Sequence, residues 1–299
     1  MFDKSKVFLG ITPTGWTNDD MPLLGNDSCT FEQIISEMAL AGFQGCSIGH
    51  KYPTDPALLR PALKLRGLRV SEPWVSLYFA AKQMREQTLT AFRKQMVFIK
   101  AMGGTDLVVA ELTQAVHQSS VSAIPNKPDF TNEQWKALTS GLNEIGRMAA
   151  DEGMRLAYHP HVGTGVMTLP EIDRLMTETD PKLVTLLYDT GHLYYAGIDP
   201  LKVVKKYARR IFHCHLKDIR QHVLDESLKL GRSFLSSIEA GVFTVPGDGC
   251  LDFPAYLGVL AQNNFEGWLV VEAEQDPGTA NPLEYALKAR KYLKQVTGL

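Results

Sequence analysis

The sequence predicts a closed (β/α)8 barrel, an α/β fold in which eight parallel strands alternate with eight helices. Two observations predict it. Short β-branched or apolar runs alternate along the chain with segments whose apolar residues recur at i, i+3, i+4 and i+7. No glycine-rich phosphate-binding turn follows an early strand, as a doubly wound open sheet would require.

The predicted elements use nearly the whole chain. The strands cover residues 6–12, 45–49, 68–74, 106–112, 155–161, 184–192, 211–218 and 267–274. The helices cover residues 31–42, 55–67, 82–104, 132–153, 169–179, 199–210, 252–264 and 282–296. Because one barrel needs this many elements, we expect residues 1–299 to form a single domain. The longest irregular stretch, residues 219–250, follows the seventh strand, and we expect it to be a mobile lid.

Composition excludes several classes of protein. The chain has 299 residues, 44% of them hydrophobic and 21% charged, and a formal net charge of −2, so a basic nucleic-acid-binding face is not expected. No apolar run reaches the length of a membrane span, and the N-terminus lacks the pattern of a signal peptide. We therefore expect a cytoplasmic protein whose four cysteines are reduced, with Cys214 pointing away from the barrel mouth.

Four consecutive strands of the second half end in a residue that can bind a metal. They are His159, Asp189, His215 and Glu272. The carboxyl ends of parallel barrel strands meet at one mouth, so these side chains should converge there. Two imidazoles and two carboxylates form the ligand set of a divalent metal, and mixed N/O ligands favour Mn²⁺, Co²⁺, Fe²⁺ or Zn²⁺ over Ca²⁺ or Mg²⁺.

Other polar and aromatic residues near the predicted strand ends are candidates for proton transfer or substrate binding. Glu111, at the end of the fourth strand, and His161 and Lys217, each two residues beyond a predicted ligand, are the catalytic candidates. Glu274 competes with Glu272 as the ligand, and Glu272 is preferred because it comes first after the apolar run. The predicted substrate-binding residues are Trp16, Asn18, Trp74, His192, His213 and Glu274.

The chain resembles the xylose-isomerase-like TIM barrels from end to end, and within them the inosose dehydratases. The specific segments are GWTNDD (15–20), HPHVGTGVMT (159–168), YDTGHLYYAG (188–197), FHCHLKDIR (212–220) and GWLVVEAEQDP (267–277). The resemblance places the metal pattern of the superfamily on His159, Asp189, His215 and Glu272. The epimerases of the superfamily carry Glu at the first of these positions and use it in proton transfer. A histidine there favours a lyase and leaves the base open.

The resemblance implies loss of water from 2-keto-myo-inositol to give a trihydroxycyclohexane-1,2-dione, a step of myo-inositol degradation. It also implies a preference for Mn²⁺ or Co²⁺, and glutathione as an accessory. Glu111, His161 and Lys217 are the candidates for the base that removes the α-proton and the acid that protonates the departing hydroxyl.

Three other functions remain open from the sequence. A metal-dependent ketose or inosose epimerase or isomerase would share the enediolate chemistry without elimination. A DNA-repair nuclease of the same superfamily would need more metal ligands and a basic groove. A barrel could also bind a polyol without turning it over. Apart from the nuclease, these functions all imply a small cyclitol or sugar as the partner. The sequence leaves open whether the chain forms a homo-oligomer.

Overall fold

The computed structural model describes residues 2–21, 24 and 29–299, and these contain a curled parallel sheet covered by helices. The strands are β1 (Val7–Ile11), β2 (Gly45–Cys46), β3 (Arg69–Val70), β4 (Trp74–Leu77), β5 (Asp106–Glu111), β6 (Arg155–Tyr158), β7 (Val184–Asp189), β8 (Ile211–Leu216), β9 (Asp218–Ile219), β10 (Phe243–Thr244) and β11 (Gly267–Val271). The helices are α1 (Phe31–Leu40), α2 (Pro56–Leu65), α3 (Arg85–Met102), α4 (Ala123–Asn126), α5 (Asn132–Asp151), α6 (Leu169–Glu178), α7 (Thr190–Tyr195), α8 (Pro200–Tyr207), α9 (Gln221–Leu230), α10 (Phe234–Glu239), α11 (Phe253–Gln262) and α12 (Pro282–Thr297).

The nine strands of the main sheet correspond to eight barrel positions. Their order is β3-β2-β1-β11-β8-β7-β6-β5-β4, and every pairing is parallel. The two end strands, β3 and β4, are successive parts of residues 69–77, so this stretch pairs with β2 on one side and β5 on the other. The sheet therefore closes on itself as a (β/α)8 barrel, and the third strand position is interrupted at residues 71–73.

Local capping explains where several barrel helices begin. Asp55, Asp199 and Asn281 each precede a proline that opens a helix, and each side chain accepts a hydrogen bond from a backbone N–H of the first turn. The carboxylate or amide oxygen satisfies an otherwise unpaired N–H, and proline at the first helical position needs no N–H partner. Thr131 and Gln134 form a reciprocal capping box at α5.

Alternation along the strands separates two buried layers. Leu107, Val109 and Tyr158 belong to the main core, between the strands and the helices. Val108 and Ala157 form with Leu187 a small separate cluster inside the barrel. Successive side chains of a strand point to opposite faces, so the parity of a residue decides whether it can reach the interior and the mouth. Cys214 lies in the outer layer, as its alternation with His213 and His215 predicts.

The segment after β8 is not the irregular loop that was expected. It contains α9, α10 and the antiparallel pair β9–β10. Phe234, Ile238 and Phe243 are fully buried in a second apolar cluster, against Val162 from the loop after β6. Ordering and burial of this kind favour a fixed wall, formed by residues 219–251 beside the barrel mouth, over a lid that becomes ordered on substrate binding. Among the described residues, no helix has both the length and the apolar character needed to cross a bilayer.

Asp218 holds this wall to the barrel. Its carboxylate accepts four backbone N–H groups, from Ile219, Gly247, Gly249 and Leu251, at 2.8–3.1 Å. A side chain at Gly249 would collide with Asp218, because an added Cβ would lie 2.4 Å from Oδ1. Each carboxylate oxygen accepts two of the four N–H groups, so the loop conformation depends on both oxygens.

We expect Asp218→Asn to loosen the wall while leaving the barrel folded. The amide nitrogen of Asn cannot accept the two N–H groups that one carboxylate oxygen holds, which should cost about 2–4 kcal/mol of unfolding free energy. Urea unfolding measures that loss, and amide hydrogen exchange should accelerate in residues 219–251. Unchanged stability and exchange would show that the four hydrogen bonds do not hold the wall.

In the wild-type chain, amide hydrogen exchange in residues 219–251 should not change when metal and a substrate analogue are added, because a fixed wall is already ordered without them.

Candidate metal centre and active site

The four predicted metal ligands lie together at the barrel mouth. His159 Nε2 is 3.4 Å from Asp189 Oδ2, and His215 Nδ1 is 3.6 Å from the same oxygen. Glu272 Oε2 contacts His215 Nδ1 directly. All four residues face the interior and are buried. Ligand atoms of His159, Asp189 and His215 fall within 4.8 Å of one another, close enough for one cation to reach all three.

Backbone contacts fix which atom of each ligand faces the centre. Asp189 ends β7 and caps α7, because its Oδ1 accepts the N–H of His192 at 2.8 Å. Its Oδ2 is thereby left for the centre. His159 Nδ1 lies 2.8 Å from the carbonyl oxygen of Pro160, which leaves Nε2 facing Asp189. Such outer contacts orient metal ligands in proteins.

The donor set fits a divalent cation. Asp189 Oδ2 and both ring nitrogens of His215 are buried and make no well-aligned hydrogen bond with any described residue, although charged groups lie close to them. Buried polar atoms are almost always satisfied, so unsatisfied atoms that converge from separate strands indicate a ligand. Burial alone would raise the pKa values of the two carboxyls, but Lys217 and the neighbouring histidines hold Asp189 well below its usual range, and His215 and Lys217 lower Glu272 to about 2. Both carboxylates are therefore ionised and able to bind a cation.

Lys217 is a fully buried cation behind these carboxylates. Its Nζ lies 2.6 Å from Glu274 Oε2, 3.0 Å from Glu272 Oε1 and 3.0 Å from His192 Nε2. Burial would lower its pKa, but Glu272 and Glu274 raise it, so the side chain stays an ammonium. Gly191 makes room for it, because a Cβ there would lie 2.5 Å from Lys217 Cγ. Phe243 covers the ammonium from the wall side, with its ring centre 4.6 Å from Nζ.

A cavity opens from this centre to solvent and contains some of the predicted substrate-binding residues. His161, Glu274, Trp74 and Asn18 line it, together with His215 and Glu272. Trp74 is 36% exposed and its ring lies edge-on to His159 and His161, at 5.6 and 5.7 Å between ring centres. A partly exposed indole beside polar groups is suited to packing against the apolar face of a sugar or cyclitol ring.

His161 is a neutral imidazole at the cavity. Its Nδ1 lies 2.9 Å from the carbonyl oxygen of Val162, an arrangement in which Nδ1 carries the proton and Nε2 keeps its lone pair. Burial, with the positive charges of nearby histidines and Lys217, holds its pKa well below the usual range. The His192 ring lies tilted against His161, with ring centres 3.9 Å apart. It lies behind His161 rather than on the cavity, and burial lowers its pKa in the same way.

Besides His192, two more predicted substrate-binding residues lie away from the cavity. Trp16 is 1% exposed, and its Nε1 donates to Glu37 at 2.6 Å, so this indole ties the β1 loop to α1 instead of covering the cavity. His213 is fully buried below the mouth, between Asp106 and Glu72. It shares the inward face of β8 with His215 but lies two residues earlier, one layer deeper in the barrel.

The prediction for Glu111 as the base is not supported by its position. Glu111 alternates with Val108 and Ala110 so that it faces the helices, and it does not line the cavity. Its carboxyl oxygens accept the backbone N–H groups of Phe79 and Thr113, at 2.8 and 3.1 Å. Burial raises its pKa to about 7. The strand was correctly located. Side chains alternate between the two faces of a strand, and following that alternation from Val108 would have placed Glu111 on the outer face.

Two carboxylates of the interior were not among the predicted site residues: Glu72, recognised only as ending the third strand, and Asp106. Glu72 lies at the break between β3 and β4, with Oε2 3.2 Å from His213 Nε2 and Oε1 3.5 Å from His215 Nε2. Asp106 begins β5 and lies 3.0 Å from His213 Nδ1. Glu72 precedes a proline after an apolar run, which is a usable signal for a strand-end carboxylate. Asp106 is at the opposite end of its strand, where sequence reasoning does not look for site residues.

Comparisons with known proteins agree with this fold. The profile of the family described as "Xylose isomerase-like TIM barrel" matches residues 35–296. Inosose dehydratase of Geobacillus thermodenitrificans (strain NG80-2) is 52% identical over 300 residues, covering 100% of both chains. Inosose dehydratase of Clostridium beijerinckii is 51% identical over 299 residues, again covering 100% of both chains.

Solved structures with low sequence identity share the fold. The structure described as "IOLI protein with a binding zinc atom" has a TM-score of 0.73 and 17% identity, covering 97% of this chain and 98% of that chain. A D-allulose 3-epimerase from Methylomonas sp. has a TM-score of 0.69 and 18% identity, covering 99% and 98% of the two chains. With full-length relatives near half identity, the chain belongs to the inosose dehydratases of the xylose isomerase-like TIM barrel family.

Proposed function

We propose that this protein is a metal-dependent hydro-lyase that removes water from 2-keto-myo-inositol to give a trihydroxycyclohexane-1,2-dione in myo-inositol degradation. The observation that carries the proposal is the convergence of His159, Asp189, His215 and Glu272 at the barrel mouth, in a chain 52% identical to an inosose dehydratase. The cavity lies at the carboxyl ends of the strands, where barrel enzymes hold their active sites.

The four ligands would hold Mn²⁺ or Co²⁺, the metals that the family resemblance implies. A divalent cation bound there supplies Lewis acidity to the ketone of the substrate and makes the adjacent C–H bond more acidic. Mixed imidazole and carboxylate donors are compatible with either metal. The glutathione requirement that the resemblance implies stays a prediction, and initial rates with and without glutathione check it.

His161 is our candidate for the base. It lines the cavity, and its Nδ1 proton is held by the Val162 carbonyl, so Nε2 can accept the α-proton of the substrate. The electron pair of the broken C–H bond forms a C=C bond as the β C–O bond breaks, which gives the enol form of the dione. Glu274, which also lines the cavity, would deliver the proton with which the departing hydroxyl leaves as water. The enol becomes the dione when its O–H proton passes to solvent and the former β carbon takes up a proton.

Lys217 is a positioning residue in this scheme. Its Nζ does not line the cavity but contacts both Glu272 and Glu274, so it fixes the spacing of a predicted ligand and the proposed acid. Asn18, with Asp19 and Asp20 beside it, lines the same cavity and offers hydrogen-bonding groups for cyclitol hydroxyls. Trp74 provides the apolar surface.

Turnover of 2-keto-myo-inositol by the metal-loaded protein in D₂O tests the function. We expect ultraviolet absorbance from a dione, a product that has lost one water and carries one solvent deuterium on carbon, and dependence of both on the metal. Deuterium incorporation with no loss of water would instead identify an inosose epimerase or isomerase. No reaction with any inosose or ketose at full metal occupancy would contradict both enzymatic functions.

His161→Gln tests the base. Gln is similar in size but cannot accept the proton at neutral pH, so we expect the rate of dehydration to fall roughly 10²–10⁴-fold. Exchange of the α-proton with D₂O should fall with it, while the dissociation constant of the metal stays within about threefold. A variant that still exchanges the α-proton at the wild-type rate would rule out His161.

Glu111→Gln is the matched comparison, because it changes a buried glutamate that faces away from the cavity. We expect turnover to stay within about threefold of wild type, and unfolding free energy to fall by about 1–3 kcal/mol because one backbone N–H loses its acceptor. A loss of activity like that of His161→Gln would return Glu111 to the role of base.

The pH dependence of stability gives a second readout for Glu111. Burial raises its pKa in the folded chain from 4.5 to about 7, so between these values the folded state holds a proton that the unfolded state has lost. The contribution of Glu111 to stability is therefore present below pH 4.5 and is lost as the pH rises through about 7. The corresponding slope should be missing from urea unfolding of Glu111→Gln.

A further inference from the structure

A row of charged side chains crosses the interior of the barrel and ends at the proposed metal centre. It begins at Arg155, whose Nε and Nη2 donate to the two oxygens of Asp106 at 2.9 and 3.0 Å. Asp106 Oδ2 lies 3.0 Å from His213 Nδ1, and His213 Nε2 lies 3.2 Å from Glu72 Oε2. Glu72 Oε1 then lies 3.5 Å from His215 Nε2. Arg155 is 36% exposed at the far end of the barrel, whereas the other four side chains are almost fully buried.

The strands dictate this placement. Asp106 is the first residue of β5 and faces inward, and His213 and His215 occupy the same face of β8 two residues apart. Glu72 reaches them because the third strand position is interrupted between β3 and β4. Burying two carboxylates and two imidazoles is costly unless they are paired, and this cost suggests that the row serves the site.

His215 has two ring nitrogens with different surroundings. Nε2 faces Glu72, away from the predicted ligands, whereas Nδ1 faces Asp189 Oδ2 and Glu272. A carboxylate at one ring nitrogen holds the proton there and leaves the lone pair of the other nitrogen for a metal. Glu72 is in the position of that carboxylate.

We infer that Glu72 is a positioning residue for the metal ligand His215, and that Asp106 acts through His213 to hold Glu72 in place. The inference rests on the proposed function, because it assumes that His215 binds a cation through Nδ1. His213 lies between two carboxylates, with Nδ1 hydrogen-bonded to Asp106 and Nε2 3.2 Å from Glu72 Oε2, so its ring sets the distance between them. Arg155 holds the outer end of the row with a two-pronged contact to Asp106.

A second cation is the competing explanation for these residues. Ligand atoms of Glu72, His213 and His215 also lie within 4.8 Å of one another, and both Glu72 oxygens and His213 Nε2 lack a well-aligned hydrogen bond to any described residue. The positioning role is favoured because it also accounts for Asp106 and Arg155. It needs only one cation, since His215 Nδ1 would bind that cation while Nε2 faces Glu72. Metal stoichiometry separates the two explanations.

Direct titration of the apoprotein with Mn²⁺ and Co²⁺ by calorimetry tests the inference without using activity. The wild-type chain should bind one cation. Glu72→Gln should raise its dissociation constant about 10–100-fold and change the visible spectrum of the Co²⁺ form, as loss of such an outer carboxylate does. Asp106→Asn should weaken binding about tenfold alone and have no further effect in the Glu72→Gln background, because it acts through Glu72. Cys214→Ala, buried on the opposite face of the same strand, is the matched control and should bind like wild type.

Three outcomes would overturn the inference. Wild-type affinity and an unchanged Co²⁺ spectrum in both Glu72→Gln and Asp106→Asn would show that the row does not position His215. Two cations in wild type and one in Glu72→Gln would make Glu72 a ligand. A wild-type chain that binds no divalent cation would overturn the proposed function itself. If Glu72→Gln does not fold, His213→Gln and Asp106→Asn carry the same comparison, each with an expected weakening of about tenfold.

Discussion

The alternation of side chains along the parallel strands is the constraint on which the rest of the structure depends. It sends every second residue into the barrel and the others toward the helices. On β8 it places His213 and His215 inside and Cys214 outside. Glu72 lies in the break between β3 and β4, and its side chain reaches the interior there, beside His213 and His215. The proposed metal centre, the cavity beside it and the charged row all follow from this geometry.

Buried charge is tolerated at the mouth because opposite signs are interleaved. Lys217 is surrounded by Asp189, Glu272 and Glu274, and its charge helps to keep Asp189 and Glu272 ionised. Removing one member would leave the others unpaired in a low-dielectric interior, which costs more than the net worth of any single pair. The wall of residues 219–251 excludes water from one side of this cluster, since Phe234 and Phe243 pack against His192.

The sequence was sufficient to predict the barrel and the convergence of the second-half residues. Periodicity located all eight barrel helices, and the polar ends of four apolar runs located His159, Asp189, His215 and Glu272, which the structure brings together. The roles of these residues stay proposals. Lys217 was correctly placed on the side of His215, although its contacts with Glu272 and Glu274 come from a neighbouring strand and have no sequence signal.

The residues that sequence reasoning misplaced share a physical cause. Glu111 is at the carboxyl end of its strand but on the wrong face, and Trp16 is near the mouth but donates its N–H to Glu37 on α1. The position of a residue along a strand can be read from the sequence. The direction in which its side chain points and the group to which it hydrogen-bonds depend on residues that are distant in the chain. The segment after β8 was expected to be irregular because its sequence shows no clear local periodicity. Its apolar residues pack instead against the loop after β6, and such a contact between distant segments leaves no local pattern in the sequence.

The most direct test of the account is anomalous diffraction at the metal edge from crystals of the protein grown with Mn²⁺. The account predicts one peak per chain, within coordination distance of His159 Nε2, Asp189 Oδ2, His215 Nδ1 and Glu272, with Glu72 beyond coordination distance on the other side of the His215 ring. A peak between Glu72, His213 and His215, or a mouth without a peak at saturating metal, would contradict it.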